Sequence, residues 1–86
     1  MFVSENLAVN EKGNLTIGGV DTIELAKNYK TPLYVMDEGV IREHCRSFKQ
    51  SMDKYCGGNG LVCYASKAFC CKHMCRIMNE EGMGLD

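Results

Sequence analysis

The sequence has no block of like charge. Ten basic residues stand against eleven acidic ones, for a formal charge of −1, and nowhere do lysines or arginines cluster. That argues against nucleic-acid binding, because neutralising phosphates needs a gathered positive face. Long apolar runs are missing too. The uninterrupted ones are a few residues long, against the roughly 18 that suggest a membrane span. The amino terminus, Met1-Phe2-Val3-Ser4-Glu5-Asn6, lacks the basic start and apolar core of a secretory signal. A cytoplasmic protein with neither nucleic-acid nor membrane partners is expected. There is no internal repeat and no low-complexity segment.

Cysteine, by contrast, is plentiful, at positions 45, 56, 63, 70, 71 and 75 of only 86 residues. A disulfide framework would suit a secreted miniature, but no signal is present and cytosolic thiols stay reduced. Zinc could be drawn from Cys70, Cys71, His73 and Cys75. Structural zinc wants spaced pairs of ligands, whereas these four crowd onto one predicted helix. No metal is expected, and the cysteines read as small apolar fillers.

Along the chain, Leu7-Ala8-Val9 and Leu15-Thr16-Ile17 flank the polar turn Asn10 to Asn14, which predicts a hairpin. Asp21 and Glu24 have capping-box spacing before a short helix from about Thr22 to Asn28. Pro32, the single proline, blocks helix continuation. Leu33-Tyr34-Val35-Met36 reads as a buried strand, with Asp37 as N-cap of the next helix. That helix sets Ile41, Cys45, Phe48 and Met52 on one face, with Arg42, Glu43, Arg46, Lys49 and Gln50 on the other. His44 adjoins the apolar stripe as a boundary residue. Gly57, Gly58 and Gly60 fall after a helix and before a strand, the reverse of a phosphate cradle, and are read as a helix stop.

The stretch Leu61-Val62-Cys63-Tyr64-Ala65-Ser66-Lys67-Ala68-Phe69 has the composition of a short buried strand that ends in a lysine ahead of a helix. In sheets built from β-α units the carboxyl ends of the strands carry the chemistry. A lysine among apolar neighbours there would lose hydration, which favours the free amine that attacks a carbonyl. A Schiff-base lysine is one reading, and a surface lysine that happens to follow a strand is the other. A second helix, Phe69 to Glu80, would carry Cys70, Met74, Ile77 and Met78 on one face and stop at Gly82, and Leu85-Asp86 would open another strand. Strands alternating with helices argue for an α/β layout with parallel pairing.

Tyr64-Ala65-Ser66-Lys67-Ala68-Phe69 resembles the pyridoxal-phosphate lysine motif of the barrel-type decarboxylases that act on diaminopimelate, ornithine and arginine. Ser66 before the lysine and Ala68-Phe69 after it are most similar to diaminopimelate decarboxylase. Three further stretches agree in order and spacing: Leu15 to Asp21, Thr31 to Glu38 and Glu81 to Asp86. The resemblance covers nearly the whole chain.

The resemblance implies the amino-terminal part of a (β/α)8 barrel preceded by a short β-rich segment. Residues 1–30 would join a second β domain, and residues 31–86 would form the first β/α units. A whole barrel needs roughly 200 residues or more, so the chain is expected to be part of a longer protein; a compact natural miniature is the alternative. The resemblance further implies pyridoxal 5′-phosphate carried on Lys67, with Asp86 near the cofactor and Ala65 and Tyr64 on the floor of the site, unless those two are only strand core. The implied reaction is decarboxylation of meso-diaminopimelate to L-lysine by a homodimer that takes a small amino-acid substrate, with the 86 residues inactive alone. Ornithine, arginine or carboxynorspermidine decarboxylase, and a non-catalytic pyridoxal-phosphate-binding protein, remain alternatives. So does a stand-alone interaction module.

Overall fold

A computed structural model describes residues 2–86. The chain divides into two compact units, the first running to Asp37 and the second spanning Glu38–Asp86. Helix and strand are mixed, as an α/β reading requires.

The first unit is an antiparallel three-stranded meander followed by a helix. Strands β1 (Leu7–Val9), β2 (Leu15–Ile17) and β3 (Val20–Asp21) pair in that order, with Leu7 opposite Ile17 and Thr16 opposite Asp21. The predicted hairpin is present, and polar side chains build its turn. Asn10 Oδ1 accepts from the amides of Lys12 at 3.0 Å and Asn14 at 2.9 Å, an Asx arrangement that substitutes for a backbone turn. β3 was not foreseen. Gly18 and Gly19, at φ +57° and +82°, make the two-residue reversal that L side chains resist and that folds Val20 back onto Ile17.

Helix α1 (Thr22–Tyr29) starts where the capping residues predicted. Asp21 Oδ1 accepts from Ile23 N at 2.8 Å, while its Oδ2 accepts from Asn10 Nδ2 at 2.8 Å and Asn14 Nδ2 at 3.0 Å. One carboxylate thus fastens the hairpin loop to the helix start. These bonds, Asn14's foremost, hold the Asp21 carboxyl below its ordinary value, since each donor favours the charged form.

The second unit contains α2 (Glu38–Cys56), β4 (Cys63–Tyr64), α3 (Lys72–Glu80) and β5 (Gly84–Leu85). β4 and β5 pair in parallel, Cys63 opposite Gly84 and Tyr64 opposite Leu85, so the expected strand-helix-strand unit is there. Gly84 is required by that close approach: a Cβ at this position would lie 2.7 Å from Cys63 Sγ. The core is Cys45 from α2 with Met74, Ile77 and Met78 from α3, and Ile41, Tyr64, Phe69 and Met83 pack against it. Ile77, at 2 % exposure, is its most enclosed member. Gly57 and Gly58, at φ +60° and +77°, stop α2, and Gly82, at φ +71°, stops α3, as predicted.

An ion-pair cluster bridges the two helices on the solvent side. Arg42 reaches Glu38 at 3.2 Å, Glu80 at 3.0 Å and Glu81 at 3.1 Å, and Arg46 meets Glu81 at 2.9 Å. Arg46 and then Arg42 hold the Glu81 carboxyl below its ordinary range. His73 and then Arg42 do the same for Glu38.

Four expectations are corrected. Leu33, Tyr34, Val35 and Met36 belong to neither sheet and are exposed; an apolar run becomes a strand only when another strand's amides and carbonyls face it. Phe48 is 62 % exposed, so the helical stripe of α2 is buried only around Cys45, where α3 covers it. Arg42, assigned to the water-facing side, is on that side but only partly exposed, held among three glutamates. α3 begins at Lys72, not Phe69, which leaves Cys70 outside the helix and Cys71 at its N-cap.

Candidate functional site around Lys67

The ends of the parallel pair define the site. The run beginning at Leu61 yields a strand of only two residues, Cys63 and Tyr64, and its side chains alternate between exposed and half-buried. It is therefore not the buried strand expected. Immediately after it the chain makes a tight turn: Ala68 N donates to Ala65 O at 3.1 Å, which places Ser66 and Lys67 at the two central positions. Tyr64 Oη donates to Phe69 O at 2.6 Å, closing a second ring of contacts around the same loop. A hydroxyl held by a backbone carbonyl fixes the loop without using up the lysine.

Asp86 lies beside this turn. Its amide donates to Tyr64 O at 2.9 Å, and its carbonyl accepts from Ser66 N at 3.1 Å. The Ser66 hydroxyl donates to the same carbonyl. Ser66 therefore laces the carboxyl ends of β4 and β5 together, a role the sequence reading did not assign it. The signal was present in its position: a serine one residue before the lysine can satisfy an open carbonyl on the neighbouring strand.

Lys67 is exposed. The apolar enclosure expected to strip water from its amine is not found among the described residues. The lysine is nevertheless neither in mid-helix nor remote from the strand ends; it sits on the turn that leaves β4. Asp86 and Ala65 are exposed as well.

Ala65 and Tyr64 also line an apolar cavity of about 340 Å³, together with His44 and Phe48 from α2 and Met78 and Met83 from the α3–β5 side. Lys67 and Asp86 are not among its lining residues. Ala65 is thus the predicted contact that faces this space, and the two polar candidates stand at the strand ends beyond it. Among the described residues no three His, Cys, Asp or Glu side chains are gathered to hold a metal ion, and no helix is long and apolar enough to cross a membrane.

A parallel strand pair that ends in a lysine-bearing turn, with an aspartate on the adjacent strand end, is an arrangement that can offer an amine to an aldehyde. Comparison with known proteins bears on which chemistry that is. No family model matches the chain. It is 52% identical over all 86 of its residues to a diaminopimelate decarboxylase of Bacillus methanolicus. It is 46% identical over the same length to that of Bacillus subtilis, and 36% identical over 78 residues, 91% of the chain, to that of Synechocystis. Its relatives are diaminopimelate decarboxylases. The chain spans about a fifth of the length of these curated relatives, 20% of the first, 19% of the second and 17% of the third. The similarity to diaminopimelate decarboxylases runs through both compact units, and it includes the turn of Lys67.

Proposed function

We propose that this chain contributes the cofactor lysine of a pyridoxal 5′-phosphate-dependent decarboxylase that converts meso-diaminopimelate to L-lysine and carbon dioxide. The observation that carries the reading is the 52% identity extending through all 86 residues, and the placement of Lys67 on the turn after a parallel strand supports it. In this reading residues 1–30 belong to a β-rich second domain and residues 31–86 to the first β/α units of a barrel. The whole protein is a cytoplasmic homodimer.

The residues present fit the cofactor's first requirement. An aldehyde needs an accessible amine, and Lys67 offers one at the tip of a turn pinned by Ala65, Ala68, Tyr64 and Phe69. Lys67 would hold the cofactor, with Asp86 and Ala65 beside it at the strand ends. Once bound, pyridoxal phosphate supplies an electron sink for the pair of electrons left when the substrate carboxylate departs. The chain's own residues position the amine. The turn bonds limit where the lysine backbone can go, and Ser66 holds the carboxyl ends of the two strands together through the Asp86 carbonyl. The 86 residues alone are expected to turn over no substrate.

The test is a graft. Residues 1–86 replace the matching 86 residues of the Bacillus methanolicus decarboxylase, and release of carbon dioxide from meso-diaminopimelate is measured. The grafted protein should be active, and Lys67→Ala should lower its rate by roughly a thousandfold or more, as removal of a covalently acting group does. A folded Lys67→Ala graft that retains the parent rate would contradict the assignment.

A further inference from the structure

The start of α3 contains a pair of sulfurs that a decarboxylase would not require. Cys70 Sγ and Cys75 Sγ lie 3.8 Å apart, and Cys70 is exposed while Cys75 is partly so. The backbone explains the encounter. Cys71 is extended, at φ −156° and ψ 167°, which turns the chain into the helix, and Cys75 N donates to Cys71 O at 3.1 Å. Cys75 thus sits at the top of the first helical turn, facing back toward Cys70.

We propose that Cys70 and Cys75 form a reversible disulfide by exchange with a small-molecule disulfide. The sulfurs are already in contact, and side-chain rotation has to bring them from 3.8 Å to the bonding distance of about 2.05 Å. The chemistry balances in two displacements. The thiolate of one cysteine attacks the small disulfide and expels one small thiol, leaving a mixed disulfide. The sulfur of the other cysteine then displaces the second small thiol as the protein S–S bond forms. The two protein thiols each lose a proton and an electron, and the small disulfide is reduced to two thiols.

Cys45 is buried, its sulfur lies 3.8 Å from Met78 Sδ, and burial pushes its thiol above the ordinary value, so it is shielded from exchange. Hydrogen bonding with Cys75 pushes the Cys70 thiol up as well, and because exchange runs through a thiolate it accelerates as pH rises. The bond would pin the segment after Lys67 to the first turn of α3, because Cys70 lies only three residues beyond the lysine.

Trypsin makes the test direct. It cleaves after Lys67, Lys72 and Arg76, so the bond would join the peptide of residues 68–72 to that of residues 73–76. The 86-residue chain is equilibrated with oxidised and reduced glutathione, blocked with an alkylating agent and mapped by mass spectrometry, in buffer and in concentrated urea. The joined peptides should appear in buffer with an equilibrium constant about tenfold or more above that in urea. They should persist in Cys71→Ser and vanish in Cys70→Ser and in Cys75→Ser. Equal yields in buffer and urea, or joining that survives Cys70→Ser, would overturn the proposal.

Discussion

The two units of this chain are stabilised by different kinds of contact. Among the described residues, every buried apolar side chain lies in the second unit, at Cys45, Met74, Ile77 and Met78; the buried residue of the first unit is Thr16. The first unit is organised by polar side chains at turns, with Asp21 bound to Asn10, Asn14 and the start of α1. The second combines a small sulfur-rich core with a glutamate-arginine cluster across α2 and α3. Turn chemistry specifies shape locally and is written in neighbouring residues. Burial stabilises more strongly but depends on partners distant in sequence.

Removing core volume should separate the units most. Ile77→Ala leaves a cavity in the second unit and should cost it about 2–5 kcal/mol. Amide exchange should accelerate throughout α2 and α3 while β1 and β2 keep their protection; equal acceleration in both units would show that they are not independently stabilised. A backbone change should act less strongly on the same unit. Gly82→Ala forces a side chain into φ +71°, with its Cβ 2.5 Å from Lys49 Nζ. The lysine end can move and the backbone cannot, so thermal unfolding should report a loss of about 1 kcal/mol.

Acid should distinguish the units by onset. The carboxyls of Glu81 and Glu38 are held below their ordinary value of 4.5, and that of Asp21 below 3.8. A depressed carboxyl adds stability that is complete above the ordinary value and is lost as pH falls through the lowered one. Protection in α2 and α3 should therefore begin to fall as pH drops below 4.5, and protection around α1 only below 3.8. The effect on the second unit should shrink in high salt, because Arg46, Glu38 and Glu80 of its ion-pair cluster are open to solvent. Amide exchange measured across an acid titration checks both the order and the salt dependence.

Features defined by adjacent residues were legible in the sequence. The hairpin at Asn10–Asn14, the Asp21 cap and the glycine stops at positions 57, 58 and 82 follow from local chemistry, and the parallel return of the chain near Leu85 from the alternation of strand and helix. Features that need an outside partner were not. Leu33 to Met36 have strand composition, yet no strand among the described residues pairs with them. Phe48 lies on the correct face of α2, but α3 is short and covers only the region around Cys45. Periodicity identifies which residues share a face without specifying what will cover it. The same distinction applies to the site. The place of Lys67 after a strand could be anticipated from the apolar run that precedes it, and the nearness of Asp86 only from the resemblance to a known family, whereas the lysine's exposure and the Ser66 lacing depend on three-dimensional neighbours.

The most direct test of the account is to ask which amine takes the cofactor. The grafted protein is incubated with pyridoxal 5′-phosphate, reduced with borohydride, digested and mapped. The account predicts one stoichiometric pyridoxyl label, on the peptide that carries Lys67, and no label there in Lys67→Ala. A full label on another lysine, with Lys67 unmodified in an active protein, would contradict it.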